Sequence, residues 1–545
     1  MAPEKGDFWV AIIYSLVIGL ISLVVPVAVQ AVVNTIAFGT LVQPLVALTI
    51  LVFFALCFAA ALQGLRMWVV ELIQRRIFVR LAGDTTFRLV HVLPSAFDKY
   101  HGPELVNRFL EVVTVQKSAA SLMVDGLSVL MQTIVGMILL GIYHPYLLAF
   151  VVLMLVFIVL VLFPLGHNAI STSVRESKAK YDLVAWLQEI ARHQVAFKTR
   201  SGSTLALNQT NQLTTKYLQY RSAHFCILLR QVLGSFGLQA IASALLLGVG
   251  GWLVIERELT LGQLVAAELV VALVVSGFTK FGKHLETFYD LMAATDKLGY
   301  LEDLPLERTS GEEVWPSSRG AQVRLNNVSV GYAGRAPLIE GADLELHPGA
   351  RIGILGCAGS GKSSLLDAIY GLRTPVAGVI EFDGHDYRDI QLGCLRAQVA
   401  LVRTPEIFEG TVLENLRLGN SNIDSAEARA GLQRVGLLDT IQEFPDGLNT
   451  VLATGGQPLS PGQAMQFELA RAILSEPRLL ILDECLDHLD DLPQRERLLN
   501  VLFAPSAPWT LLVVSEKPDI LARCERVYRL GGRKLVPEAE LEQIA

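Results

Sequence analysis

The run Gly356-Cys357-Ala358-Gly359-Ser360-Gly361-Lys362-Ser363-Ser364 carries the spacing GxxxxGK[ST]. Glycines so placed let a loop wrap until successive amides point inward at phosphate oxygens, and a helix starting behind the loop adds positive potential. A lysine at position 362 neutralises β/γ-phosphate charge, and a hydroxyl at 363 ligates Mg²⁺. The flanks suit the motif: Ile352–Leu355 reads as an apolar strand and Ser364–Tyr370 as a helix. Downstream, Leu479-Leu-Ile-Leu-Asp483-Glu484 reads as a buried strand ending in two carboxylates. A parallel strand would bring Asp483 to its carboxyl edge, beside the phosphate loop, to hold Mg²⁺ through water. Glu484 would then stand where a general base meets the attacking water. The chemistry expected is hydrolysis of a nucleoside triphosphate, with Lys362 and Glu484 catalytic and Mg²⁺ as cofactor.

What positions these residues is legible in coarse outline. The chain has 545 residues, of which 52% are apolar and 18% charged, and its mean hydropathy is +0.45. Charged residues make up about 25% of an ordinary soluble protein, so disorder is excluded and a wholly soluble chain is disfavoured. The net charge of −7 points away from nucleic acid, which demands a basic footprint. Six cysteines without CxxC spacing read as free thiols in a reducing compartment. Cys357 and Cys485, beside the nucleotide motifs, read as small fillers.

The apolar excess is concentrated before residue 300. Phe8–Val33 has no charge over 26 positions. Further runs span about 41–62, 126–143, 146–165, 232–255 and 259–278, the last interrupted by Glu268. Each approaches or exceeds the ~18–20 residues that cross a ~30 Å hydrocarbon core as helix. The expectation is an all-α domain of six transmembrane helices over 1–300. Basic residues crowd the stretches 66–124 and 167–231. By the positive-inside rule these are long cytoplasmic loops, with both termini on the same side of the plasma (inner) membrane. Helical spacing continues past the second run, so a helix over 41–90 would be roughly 75 Å long and project into the cytosol. Residues 301–320 are polar and turn-rich, a linker. Beyond them, over 321–545, β-branched runs alternate with helical stretches, as in a soluble α/β domain.

These features together resemble an ABC exporter half-transporter, over nearly the whole chain. Thr454-Gly-Gly-Gln-Pro-Leu459-Ser460-Pro461-Gly462-Gln463 stands where that family has its LSGGQ signature, and Tyr332 matches its adenine-stacking aromatic. Leu486–Asp490 resembles the dimer-contact loop, and Phe97–Arg108 and Phe197–Gly202 resemble coupling segments. The resemblance implies that two nucleotide domains pair head to tail, each ATP lying between one phosphate loop and the partner's Ser460, Gly462 and Gln463. The implied partner is a second half-transporter, identical or different.

Three positions depart from the family pattern. After the strand Thr510–Val514 the family places a switch histidine, and this chain has Glu516, which when ionised repels γ-phosphate. Where the family has its lid glutamine stands Arg403, which pairs with phosphate but does not ligate Mg²⁺. Pro461 replaces a signature glycine and removes an N–H donor. Two functional readings follow: an ATP-driven exporter subunit, or an ATP-gated, essentially non-hydrolysing membrane regulator or channel-like unit. Retained Glu484 favours the first. Leu259–Val265 is similar to the peptide- and protein-secreting branch, with small amphipathic compounds as the other cargo class. Glu268, inside a membrane run, is a cargo-contact candidate.

Overall fold

Apolar segments before residue 300 fold as helices that overrun the spans expected of them. The computed structural model describes residues 5–37, 42–96, 106–315, 319–332, 334–487, 489 and 495–538. The chain divides into two compact units, residues 1–92 with 97–305, and residues 306–545 with the short 93–96 stretch.

In the first unit, Lys5–Ser22 and Val24–Ala37 cover the first apolar run. They break at Leu23, three residues before Pro26, whose missing N–H leaves the Ser22 carbonyl without its helical donor. Val42–His91 is one helix of 50 residues, about 75 Å long, as the apolar spacing past residue 62 implies. Leu127–Tyr143 and Pro145–Leu162 meet at His144, whose Nδ1 accepts from the Tyr146 amide at 3.2 Å. Proline is favourable there because the first helical N–H has no intrahelical partner. Arg200–Ile255 runs for 56 residues. Leu261–Glu302 is started by a capping box of Thr260 and Gln263.

Five described helices are long and apolar enough to cross a membrane, and Leu261–Val274 is a shorter apolar stretch. The stretches expected as long loops are corrected by the structure. Ala169–Arg192 is helical, and the Arg200 helix begins well before its apolar part, after a turn in which Thr199 Oγ1 accepts from the Gly202 amide at 3.0 Å. Of the two coupling segments, residues 97–105 lie outside the described residues. Arg66, counted among the loop cations, is 5% exposed within the Val42–His91 helix. It donates to Ser15 Oγ at 3.2 Å and to Ser128 Oγ. Glu268 is half-buried, and its Oε2 has no hydrogen-bond partner among the described residues.

The second unit is mixed α/β. Its main sheet has the order Lys534–Pro537, Arg526–Gly531, Arg351–Gly356, Thr510–Val514, Leu479–Asp483, Val399–Val402. All neighbours are parallel except the first pair. Strands buried on both faces read as unbroken apolar runs, and alternate residues reach opposite cores. Leu480, Leu482, Leu511 and Val513 join a cluster with Phe467 and Leu469. Leu479, Ile481, Leu512 and Val514 join one with Ile354 and Leu365. An antiparallel sheet of Ile339–Leu346, Val323–Val330, Ala377–Phe382 and His385–Asp386 adds to that second core.

Part of the expected linker belongs to this unit. Glu312 exchanges backbone hydrogen bonds with Asp389 and Gln391, at 2.7 and 2.9 Å, and Glu307 takes a two-pronged ion pair from Arg396 at 2.7 and 2.8 Å. Polar, turn-rich composition signals irregular backbone and does not distinguish a free tether from a packed one. Residues 316–318 lie outside the described residues.

Candidate functional site

Strand register assembles the site. Val514 stands opposite both Asp483 and Ile354, and Val402 stands opposite Leu482. The residues just past these positions (Arg403, Glu484, Ser515 and the phosphate loop) are therefore neighbours at the carboxyl edge of the sheet, where open α/β sheets bind ligands. The loop from 356 leads directly into the helix Lys362–Ile369. Gly359 and Gly361 have φ of +78° and +101°, conformations glycine adopts without strain.

Lys362 is 5% exposed, and its ammonium is enclosed by the loop and two acids. It donates to the Gly356 carbonyl and, at 3.4 Å, to the Cys357 carbonyl. It pairs with Glu484 Oε1 at 3.0 Å and with Glu516 Oε1 at 3.5 Å. Glu516 thus reaches the lysine expected to neutralise phosphate. The corner that presents it is fixed by Asp487, which accepts from Ser515 Oγ and, at 3.1 Å, from the Glu516 amide. Sequence reasoning placed Asp487 in a dimer-contact loop and gave it no such task. His488 and Asp490 of that loop lie outside the described residues. Cys357 is exposed on the loop. Cys485 is buried, and burial pushes its thiol well above the usual range, consistent with a filler.

The opposite flank is closed by Arg403. Its Nε donates to Asp483 Oδ2 at 2.5 Å, and its Nη2 to Asp367 Oδ1 at 3.0 Å and to the Ser363 carbonyl at 3.2 Å. Burial disfavours the guanidinium's charge, but the Asp483 hydrogen bond and the two carboxylate charges outweigh it and hold its pKa above the ordinary value. Asp367 also receives Arg373 Nε at 3.4 Å, and the Arg373 guanidinium lies 4.6 Å from the Tyr332 ring centroid. Asp367 and Arg373 were missed by sequence reasoning. The available signal was an acid one turn beyond the phosphate-loop hydroxyl, facing the same edge.

Mg²⁺ is the metal such a fold implies, and Ser363 and Asp483 are its expected ligands. The residues present do not fit it. Asp483 is 3% exposed, and one of its oxygens already holds a guanidinium. The other, Oδ1, is buried and has no hydrogen-bond partner among the described residues. One carboxylate with waters and phosphates can hold Mg²⁺, but here the ion would stand beside a guanidinium charge already seated on the same carboxylate. Like unit charges ~5 Å apart repel by about 3 kcal/mol at an effective dielectric of 20, and a dication doubles that.

At the signature, Ser460 caps the helix Pro461–Leu474. Its Oγ accepts from the Gln463 amide at 3.3 Å, and Gln463 Oε1 accepts from the Ser460 amide at 2.9 Å. Pro461 occupies the first helical position, where its missing N–H costs the helix nothing. The phosphate-facing turn nonetheless has fewer amides to offer. Ser460 and Gln463 spend theirs on each other, and Gly462 is left as the donor of that turn.

Both halves of the chain match known families. The model described as ABC transporter transmembrane region matches residues 8–192, and that described as ABC transporter matches residues 339–487. The leukotoxin export ATP-binding protein LtxB of Aggregatibacter actinomycetemcomitans is 25% identical over 545 residues, covering 98% of this chain and 75% of that protein. The alpha-hemolysin translocation ATP-binding protein HlyB of Escherichia coli is 24% identical over 550 residues, with the same coverage. The toxin RTX-I translocation ATP-binding protein of Actinobacillus pleuropneumoniae is 26% identical over 546 residues. The solved structure of a bacterial Atm1-family ABC exporter with ATP bound shares the fold, with a TM-score of 0.83 at 18% identity, covering 100% of this chain and 97% of that one.

Proposed function

We infer the action of this chain from a premise the comparisons establish: it belongs to the ABC transporter family, as an exporter with its helical and nucleotide-binding units fused. It is a multi-pass membrane protein that binds ATP and couples ATP hydrolysis to export. The observation that carries the reading is Lys362, held under a GxxxxGK[ST] loop within 3.0 Å of Glu484, at the edge of a sheet fused to membrane-length helices.

Six helices cross the plasma (inner) membrane, the sixth built on Leu261–Val274, with both termini and the nucleotide unit cytoplasmic. ATP lies against Tyr332 and the loop 356–364, and Ser460, Gly462 and Gln463 of a partner half-transporter cover it. Lys362 moves from its two carboxylates to the phosphates, Glu484 takes the proton of the attacking water, and closure of the nucleotide units drives the helices from inward- to outward-facing. Ser363 and Asp483 are where the family pattern would place Mg²⁺, and Arg403 contacts both. The cargo is of the peptide or protein class. The relatives named for toxin export support this, as does the similarity of Leu259–Val265 to that branch. Half-buried Glu268, with its unpartnered oxygen, is the cargo contact proposed.

Reconstituted into vesicles with a candidate toxin peptide, the chain should accumulate it in an ATP-dependent manner, and Lys362→Ala should abolish this. Unchanged transport in that variant would refute the reading. Steady-state ATPase of the chain alone, against the chain mixed with a second half-transporter, separates homodimer from heterodimer.

A further inference from the structure

The positive charge near Asp483 is already built into the protein. Arg403 bonds to both residues expected to hold the metal, to Asp483 through its carboxylate and to Ser363 through its carbonyl. The placement follows from strand register, since Val402 pairs with Leu482 and the next residues on each strand lie side by side. Asp367 holds the guanidinium from a third direction at 3.0 Å. These contacts use Nε and Nη2. Among the described residues, Nη1 makes no hydrogen bond, so two of its five N–H donors remain on a planar fork suited to phosphate oxygens.

The remaining charges of the site are consistent with that role. Relative to the family pattern, Glu516 adds a negative charge at the switch corner and Arg403 adds a positive one at the metal corner, so the sum is unchanged while the positive charge moves to Asp483. We propose that Arg403 stands in place of the divalent cation, seated on Asp483 and Ser363 with Nη1 directed at β- and γ-phosphate oxygens, so that this chain holds metal-free nucleoside triphosphate. The proposal rests on the ATP-binding reading above and changes what that site requires.

The test is ATP binding to the purified full-length chain in lipid nanodiscs, by calorimetry, in EDTA and in millimolar MgCl₂. The expected dissociation constants agree within about threefold. Arg403→Gln should weaken binding in EDTA by about tenfold or more, and MgCl₂ should restore it. Mn²⁺ with ATP supplies a second readout that needs no variant. The wild-type chain should show no protein-bound Mn²⁺ spectrum by electron paramagnetic resonance, whereas Arg403→Gln should acquire one. Binding by the wild type that needs MgCl₂, or a wild-type Mn²⁺ spectrum, overturns the proposal and leaves the transporter reading standing. No ATP binding in either buffer overturns both.

Discussion

The two flanks of the phosphate loop are built from opposite solutions to one electrostatic problem. On one side, a buried ammonium sits between two exposed carboxylates, Glu484 and Glu516, at 3.0 and 3.5 Å. On the other, a buried carboxylate, Asp483, is closed by a half-buried guanidinium at 2.5 Å. The first pair is loose, because both acids reach water and are screened. The second is tight, because Asp483 has no solvent to turn to and losing its partner would leave an uncompensated buried charge. The contrast suggests that the lysine flank is built to release its partners to an incoming anion, while the arginine flank is built to stay closed.

The contrast can be broken most severely at Lys362. Lys362→Ala removes the cation that faces Glu484 and Glu516 beside the loop, and ATP affinity should fall by about 100-fold or more, read by calorimetry on the full chain. Next is Arg403→Leu, which strips Asp483 of its partner. Denaturant unfolding monitored in the nucleotide unit should lose about 2–3 kcal/mol, less than a fully buried pair would cost because the guanidinium is 35% exposed. If stability is unchanged, the closed flank is not the tight one. Glu516→Gln should act in the other direction, raising ATP affinity by about three- to tenfold by removing a screened carboxylate from the γ-phosphate side. An unchanged or weakened affinity would show that Glu516 does not compete with phosphate for Lys362. The smallest effect is expected at the signature. Pro461→Gly restores one amide, and ATP-dependent dimerisation, followed by light scattering, should strengthen by about two- to fivefold.

The membrane-length helices were legible because hydrocarbon admits only apolar, internally bonded backbone, so length and composition suffice to find them. Their continuation beyond the apolar runs was legible for Val42–His91, where the helical spacing persists, and not for the polar stretch 167–231, which reads as loop. Arg66 misled for a related reason: a charge in sequence looks like a membrane boundary, and its burial depends on Ser15 and Ser128 from distant helices.

Sequence alone determined the phosphate loop, its strand and helix and the carboxylate strand, since each is a local pattern with a local physical cause. It also put the negative charge of Glu516 at the phosphate corner, and in the structure that carboxylate lies 3.5 Å from the Lys362 ammonium. What only the tertiary structure decided is which charge meets which. Arg403 and Asp483 lie far apart in the chain and become neighbours through the pairing of Val402 with Leu482. Asp367, Arg373 and Asp487 gained their tasks in the same way. Electrostatic pairing depends on distance and burial, and for residues remote in sequence both are set by strand order and register.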